Sequence, residues 1–321
     1  MTSAAPLVPL VPLGHDQTLL ELRSLWANGA GPRTLLFAGP DSVGRRHTAR
    51  WLAAYVNCTA EADAPCLECE SCLLLQAGAH PDLKEVLPAL TTSSGRAKRD
   101  LEIRIDQLVP RERGEPEPLG PWLLTRPRFS VRVGVIDHAE AMNVAAANSL
   151  LKLLEEPPAW ALIVLVASGP EAVLPTVASR SVTVRFRPVP ATELASLGLT
   201  NLDHPATLLG QPGRLLARPE SAPEQDEARG AAYGLLAALS GGLSATLEAA
   251  DELATAINAY SGSEQGTGPL AWLRHALREV EATRYAAALA AVDACEAALI
   301  SYAQVQLAST VLALQLRRIM R

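Results

Sequence analysis

Four cysteines stand within fifteen residues: Cys58, Cys66, Cys69 and Cys72, in the spacing C-x7-C-x2-C-x2-C. Four thiolates this close in sequence can converge on one tetrahedral zinc ion, at Zn–S distances of ~2.3 Å. With every position filled by the protein, no open position is left for water, so the zinc is expected to be structural. Glu61, Asp63, Glu68 and Glu70 lie nearby but are not needed as ligands. The competing reading is a redox pair, because Cys-x-x-Cys also occurs in oxidoreductases. That reading leaves two thiols idle. The fifth cysteine, Cys295, sits in an alanine-rich helical pattern and reads as a small core residue.

A second segment has the spacing of a phosphate-binding loop without its chemistry. Gly39-Pro40-Asp41-Ser42-Val43-Gly44-Arg45-Arg46 falls between an apolar strand and a helical pattern. In G-x-x-x-x-G-K-[ST] the backbone wraps the phosphates, the lysine reaches the outer phosphates and the hydroxyl holds Mg²⁺. Here Arg45 and Arg46 take the last two places. Arginine has only donors and cannot ligate Mg²⁺, and its planar fork does not replace a compact ammonium. A glycine turn before a helix would also fit the two glycines alone. A later strand ends in Asp137, where an NTPase carries its Mg²⁺-supporting acid, and the next residue is His138 rather than a second acid. Glu140 is displaced along the chain. The frame of a nucleotide site is kept and its working groups are missing, so no intrinsic ATP hydrolysis and no ATP bound in cis are expected.

The elements that must position these residues alternate strand and helix. Thr34–Ala38 reads as a short apolar strand, Val131–Ile136 as a buried strand, and Leu162–Ala167 and Val182–Phe186 as a third and a fourth strand. Ala147, Leu150, Leu151 and Leu154 fall on one helical face, and Pro157-Pro158 ends that helix. Such alternation predicts an α/β domain with a parallel sheet covered on both faces. The stretch 94–127, rich in charge, Gly and Pro, reads as an irregular surface excursion. Pro219–Glu227 reads as a linker, and the Ala/Leu/Glu-rich remainder as a helical domain.

With those residues in view, the chain resembles a known family. Asn148-Ser149-Leu150-Leu151-Lys152-Leu153-Leu154-Glu155-Glu156-Pro157-Pro158 is similar to the N-[AS]-L-L-K-x-L-E-E-P-P signature of bacterial clamp-loader subunits, which are AAA+ proteins. The cysteine module, Gly14-His15-Asp16-Gln17, His80-Pro81-Asp82 and Arg104-Ile105-Asp106-Gln107 are further points of resemblance. The matches run in order over about residues 14 to 187. Two kinds of subunit share the pattern: an ATPase motor (gamma/tau), and a companion whose nucleotide site is often degenerate. Arg45, Arg46 and His138 resemble the companion, and a motor-type or other AAA+ ATPase is the alternative.

The resemblance implies three parts: an AAA+-type α/β domain with an inserted zinc module (1–187), a small helical lid (188–219) and an all-α collar (220–321). It implies a component of the DNA polymerase III holoenzyme that completes a ring with gamma/tau and delta subunits and helps load the sliding clamp at primer–template DNA. Ser179-Arg180-Ser181 occupies the place of the family's Ser-Arg-Cys motif. The resemblance makes Arg180 an arginine finger acting in trans on a partner's ATP; otherwise a loop arginine binding a surface carboxylate would serve. Gly213-Arg214 resembles the second sensor motif, with no further feature to fix the role of Arg214. Lys152 with Glu155 or Glu156 reads as a surface pair on a helix.

Composition limits the partners. Formal net charge is −6, so any DNA contact must be a local patch. Arg96, Lys98 and Arg99 form the densest basic cluster, but no aromatic residue lies among them for base stacking. A solvated loop is the plainer reading, and DNA binding should be weak, non-specific and salt-sensitive. Arg317, Arg318 and Arg321 suit the negative end of a last helix. No apolar run approaches the ~20 residues of a membrane span. Met1–Leu13 carries three prolines and no basic residue, a poor secretory leader. A cytoplasmic setting is expected, where thiols stay reduced.

Overall fold

The computed structural model describes residues 11–26, 31–60, 64–91, 97–110, 117–199, 206, 210–216, 222–259, 268–278, 280–301 and 303–321. It divides into two compact units, Met1–Val189 and Pro190–Arg321.

The first unit is built on a five-stranded parallel sheet. Its strands are β1 (Thr34–Ala38), β2 (Leu83–Val86), β5 (Arg132–Ile136), β6 (Ala161–Ala167) and β7 (Val182–Arg185), in the order β2-β5-β6-β1-β7. β1, β5 and β6 are almost wholly buried runs of Val, Leu, Ile and Ala, as strands covered on both faces must be. Alternate side chains feed two cores. Leu35, Phe37, Val133, Val135, Val164 and Val166 pack with helices α1 (Asp16–Trp26) and α2 (Arg45–Asn57). Leu36, Ile136, Ile163 and Leu165 pack on the other face with Leu150 and Leu154 of α6 (Val144–Glu155). Leu36 and Ile136 both pair with Leu165. β6 therefore separates the strand that leads into the glycine loop from the strand that ends in Asp137. Ligands of open parallel sheets bind beyond the carboxyl ends of the strands, and both segments emerge there.

The segment 94–127 departs from the irregular excursion that its composition suggests. β3 (Ala89–Thr91) pairs antiparallel with β4 (Ala97–Glu102). Helices α4 (Ile105–Leu108) and α5 (Leu119–Leu124) follow, with Leu108, Leu119 and Leu123 fully buried in the α6-side core. Three leucines among charged, Gly- and Pro-rich neighbours are enough to anchor it. Residues 111–116 lie outside the described residues.

The second unit is helical. α8 (Ala191–Ser196) and Pro212–Leu215 are short, and Arg214 lies in the latter. Four longer helices, Ala222–Ala238, Leu243–Ala259, Ala282–Ile300 and Val305–Met320, pack with Pro269–Leu277 around Leu235, Leu253, Leu273, Val292 and Leu312. A helix already runs at Ala222, so two thirds of the stretch that reads as a linker is helix. Arg317 does not serve its own helix end. Its Nη1 donates to the carbonyls of Leu239 (3.4 Å) and Gly242 (3.1 Å) and to Thr246 Oγ1 (2.6 Å), closing the turn between two other helices. No helix among the described residues is long and apolar enough to cross a membrane.

Candidate functional site: a nucleotide loop filled by arginines, and a four-cysteine module

The glycine loop follows β1. Gly39 approaches the backbone so closely that a Cβ would meet the carbonyl oxygen of Phe186 at 2.4 Å. Gly44, at φ 108°, makes the left-handed turn into α2, a conformation that L side chains rarely adopt. His15 braces the loop: its Nε2 donates to the Val43 carbonyl (2.6 Å) and its ring meets Phe186 edge-on.

Arg45 points into this loop and is buried. Its guanidinium donates to the Ala167 carbonyl, at the end of β6, and pairs with Asp41 of the loop itself. A buried charge must be paired and hydrogen-bonded, and both requirements are met from within the chain. Arg46 turns toward β2 and β5. Its Nε and Nη2 grip Glu85 at 2.9 and 3.2 Å, and Nη1 lies 3.7 Å from Asp137 Oδ2. A guanidinium thus faces the aspartate that would face a cation in an NTPase. Arg50, one turn further along α2, binds the same carboxylate at 3.0 and 2.5 Å. Burial opposes ionisation of Glu85, but the two arginines overcome it and bring its carboxyl down to about 2.

His138 follows Asp137 in the left-handed conformation, with Nδ1 3.6 Å from Glu140. The Glu140 carboxylate raises the His138 pKa against the effect of burial. Glu140 is in turn held low, burial notwithstanding, by His138 and by the charge of Arg45. The structure therefore brings Arg45, Arg46, Asp137 and His138 to one end of the sheet. It adds Asp41, Glu85, Arg50 and Glu140. Asp41 lies in the loop before α2 and Glu85 on β2, so helical spacing signals neither of them.

Arg180 belongs to another corner. It follows α7 (Pro175–Ala178), whose Val177 is fully buried. Its Nη2 and Nε lie 2.5 and 2.8 Å from Glu155 Oε1, at the end of α6. Its Nη1 donates to the Thr176 carbonyl (3.0 Å) and Ser179 Oγ (3.3 Å). Glu155, read from the sequence as a partner for Lys152, is bound to Arg180 instead. Arg96 lies outside the described residues. Lys98 and Arg99 fall on β4.

The four thiols converge: Cys58, Cys66, Cys69 and Cys72 have all their Sγ atoms within 4.8 Å of one another. Cys58 caps the end of α2, Cys69 precedes α3 (Glu70–Gln76) and Cys72 lies within it, fully buried. Backbone N–H groups of Cys66 and Cys69 donate to the sulfurs of Cys58 (3.4 Å) and Cys66 (3.3 Å). For Cys69, hydrogen bonds involving Thr59 and Cys72 outweigh burial and lower the thiol to about 6; burial and the neighbouring thiols push Cys72 up. An all-sulfur set of four suits a closed tetrahedral zinc site.

Buried polar groups tie this module to the sheet. Asn57 Nδ2 donates to the Ala53 and Val131 carbonyls, and its Oδ1 accepts from Ser130 and Val131 N–H. His80 Nδ1 accepts from Asp82 N–H (3.1 Å), so the neutral ring carries its proton on Nε2 and donates to Ser71 Oγ (3.0 Å). Burial keeps that ring neutral. The tautomer rules out a serine nucleophile here, because Nε2 has no lone pair to take the hydroxyl proton. The buried Asp82 carboxylate accepts from Arg128 and Phe129 N–H at 2.9 and 2.7 Å.

Residues 14–190 match the family model described as DNA polymerase III, delta subunit. The chain is 34% identical over 194 residues to DNA polymerase III subunit delta' of Pseudomonas aeruginosa, covering 58% of this chain and 54% of that one. It is 33% identical over 186 residues to subunit gamma/tau of Mycobacterium tuberculosis, covering 58% of this chain and 29% of that one. The match thus spans about half or less of each relative's length. A solved structure of a DNA polymerase III gamma subunit-related protein from Thermotoga maritima has the same fold, with TM-score 0.52 and 18% identity over 95% of this chain and all of that one. The chain belongs to the DNA polymerase III delta subunit family and, within it, is of the delta' type of the clamp loader.

Proposed function

We propose that this chain is the non-hydrolysing stator of a replicative clamp loader. It completes a hetero-oligomeric ring with gamma/tau and delta subunits, and the ring opens the sliding clamp and places it on primed DNA. The observation that carries this reading is the filled loop. Arg45, paired to Asp41 and the Ala167 carbonyl, occupies the position of the phosphate-binding lysine, and Arg46 stands where a hydroxyl would hold Mg²⁺. Phosphoryl transfer depends on electrostatic stabilisation by that lysine and the metal, and neither role can be filled.

In this account Arg180 acts in trans. A permanently charged, planar guanidinium suits charge developing on a transferred phosphoryl group, and its exposed place after α7 supports the role. Zinc held by Cys58, Cys66, Cys69 and Cys72 would supply structure and no chemistry. Residues 188–219 and 220–321 would serve as lid and collar. Leu307, Val311 and Leu314, exposed on one face of Val305–Met320, suit burial against a neighbouring subunit. Arg96, Lys98 and Arg99 would touch DNA phosphates only weakly.

The test is DNA-stimulated ATPase of a clamp loader reconstituted with this chain, wild type against Arg180→Ala, with assembly checked in both. Turnover should fall about a thousandfold or more at the site that Arg180 serves. Unchanged turnover in an intact complex would reduce Arg180 to a structural residue. The second reading is a motor-type ATPase, favoured by the gamma/tau relatives that match the chain. Nucleotide binding by the chain itself separates the two.

A further inference from the structure

We propose that Glu155 is a positioning residue for Arg180, one that orients the guanidinium for its work on a neighbouring subunit. The inference rests on the reading of Arg180 as a finger in trans. Glu155 ends α6, whose Leu150 and Leu154 are buried in the sheet core. Arg180 follows α7, whose Val177 is buried in the same core. Both backbones are thus fixed to one rigid support, and the two side chains meet across it.

The way the fork is used leaves its end available. Nε and Nη2 meet a single carboxylate oxygen, Glu155 Oε1, while Nη1 donates to the Thr176 carbonyl and Ser179 Oγ. A guanidinium has five N–H groups; these contacts engage Nε–H, one on Nη2 and both on Nη1. The second Nη2 N–H lies at the end of the fork, away from Glu155. A carboxylate behind the guanidinium restrains a flexible side chain without covering that end, much as carboxylates orient metal-binding histidines from behind. Restraint before the encounter lowers the ordering needed when the partner's phosphate arrives. Glu155 and Arg180 are 25 residues apart, so only the fold joins them.

The experiment uses the reconstituted clamp loader with Glu155→Gln, Arg180→Ala and the double variant. ATP is varied and assembly is checked throughout. Glu155→Gln should lower maximal turnover about fivefold, the equivalent of ~1 kcal/mol and of the size an exposed ion pair supplies. The ATP concentration for half-maximal rate should not change. In the Arg180→Ala background, Glu155→Gln should cost nothing more, because Glu155 acts only through Arg180. If Glu155→Gln does not assemble, Glu155→Asp keeps the charge but shortens the reach and should show the same dependence on Arg180. Loss with Arg180→Ala but none with the Glu155 variants would overturn the inference alone. So would higher turnover in Glu155→Gln, or an additive loss in the double variant. No loss with Arg180→Ala would remove the finger itself, and the inference with it.

Discussion

Arg45 and Arg46 differ from a lysine and a hydroxyl in more than size, since each demands carboxylate or carbonyl partners and finds them where a nucleotide would bind. Asp41 and the Ala167 carbonyl serve Arg45, and Glu85 with Asp137 serves Arg46. This has a consequence for acid stability. The Glu85 carboxyl is lowered from 4.5 to about 2, so its contribution is fully present above about pH 4.5 and is lost as pH falls through about 2. It should amount to on the order of 2 kcal/mol, given partial solvent screening. Urea unfolding at pH 7 and pH 3 should show wild type losing part of this stability. Glu85→Gln should be weaker at pH 7 and lose less between the two. Equal pH sensitivity in both proteins would show that the arginine pairs are not coupled to folding. His138 carries the opposite sign: its pKa is raised by Glu140, so its stabilisation is present below the ordinary histidine value and fades as pH rises past the folded one.

The helices and strands explain which parts of the chain could be read in advance. β1, β5 and β6 are legible because a strand buried on both faces must be an apolar run. β2 is not, because Leu83-Lys84-Glu85-Val86 spends its polar residues on tertiary partners: Lys84 over the Trp122 ring and Glu85 on two arginines. The same holds for 94–127, where charge and glycine conceal the leucines of α4 and α5. The cysteine cluster was legible from spacing alone, but the groups that seat it were not. Asn57 gives no signal, and His80 and Asp82 stand out only through the resemblance, with no role legible until the fold brings Ser71, Ser130 and Phe129 to these residues. Two measurements belong to this scale. Purified, metal-replete protein should hold close to one zinc per chain, and Cys72→Ser should lower both zinc content and unfolding free energy, the latter by at least about 2 kcal/mol. Under half a zinc per chain in wild type would count against the site. Asn57→Ala, leaving buried N–H and C=O groups unpaired, should cost about 1–3 kcal/mol with zinc content kept. Loss of zinc in that variant would mean that the seat and the metal site fold together.

At the level of the whole molecule, a five-stranded parallel sheet and a helical unit make up the chain, and in the proposed function the sheet is the retained frame of a nucleotide-binding domain. In the proposed ring, that frame holds shape, while Arg180 and the exposed helix faces meet partners. The central claim is that the chain's own arginines occupy its nucleotide site. Calorimetric titration of the purified chain with Mg-ATP tests it most directly, alongside a variant carrying Arg45→Lys and Arg46→Thr. The account predicts no binding by wild type at millimolar nucleotide, and binding gained by the variant. At 100 times the dissociation constant, that binding would add ~2.7 kcal/mol to the variant's stability. Micromolar binding by wild type, with phosphate released faster than ~1 s⁻¹ and so within ordinary enzyme range, would contradict the account and make the chain a motor.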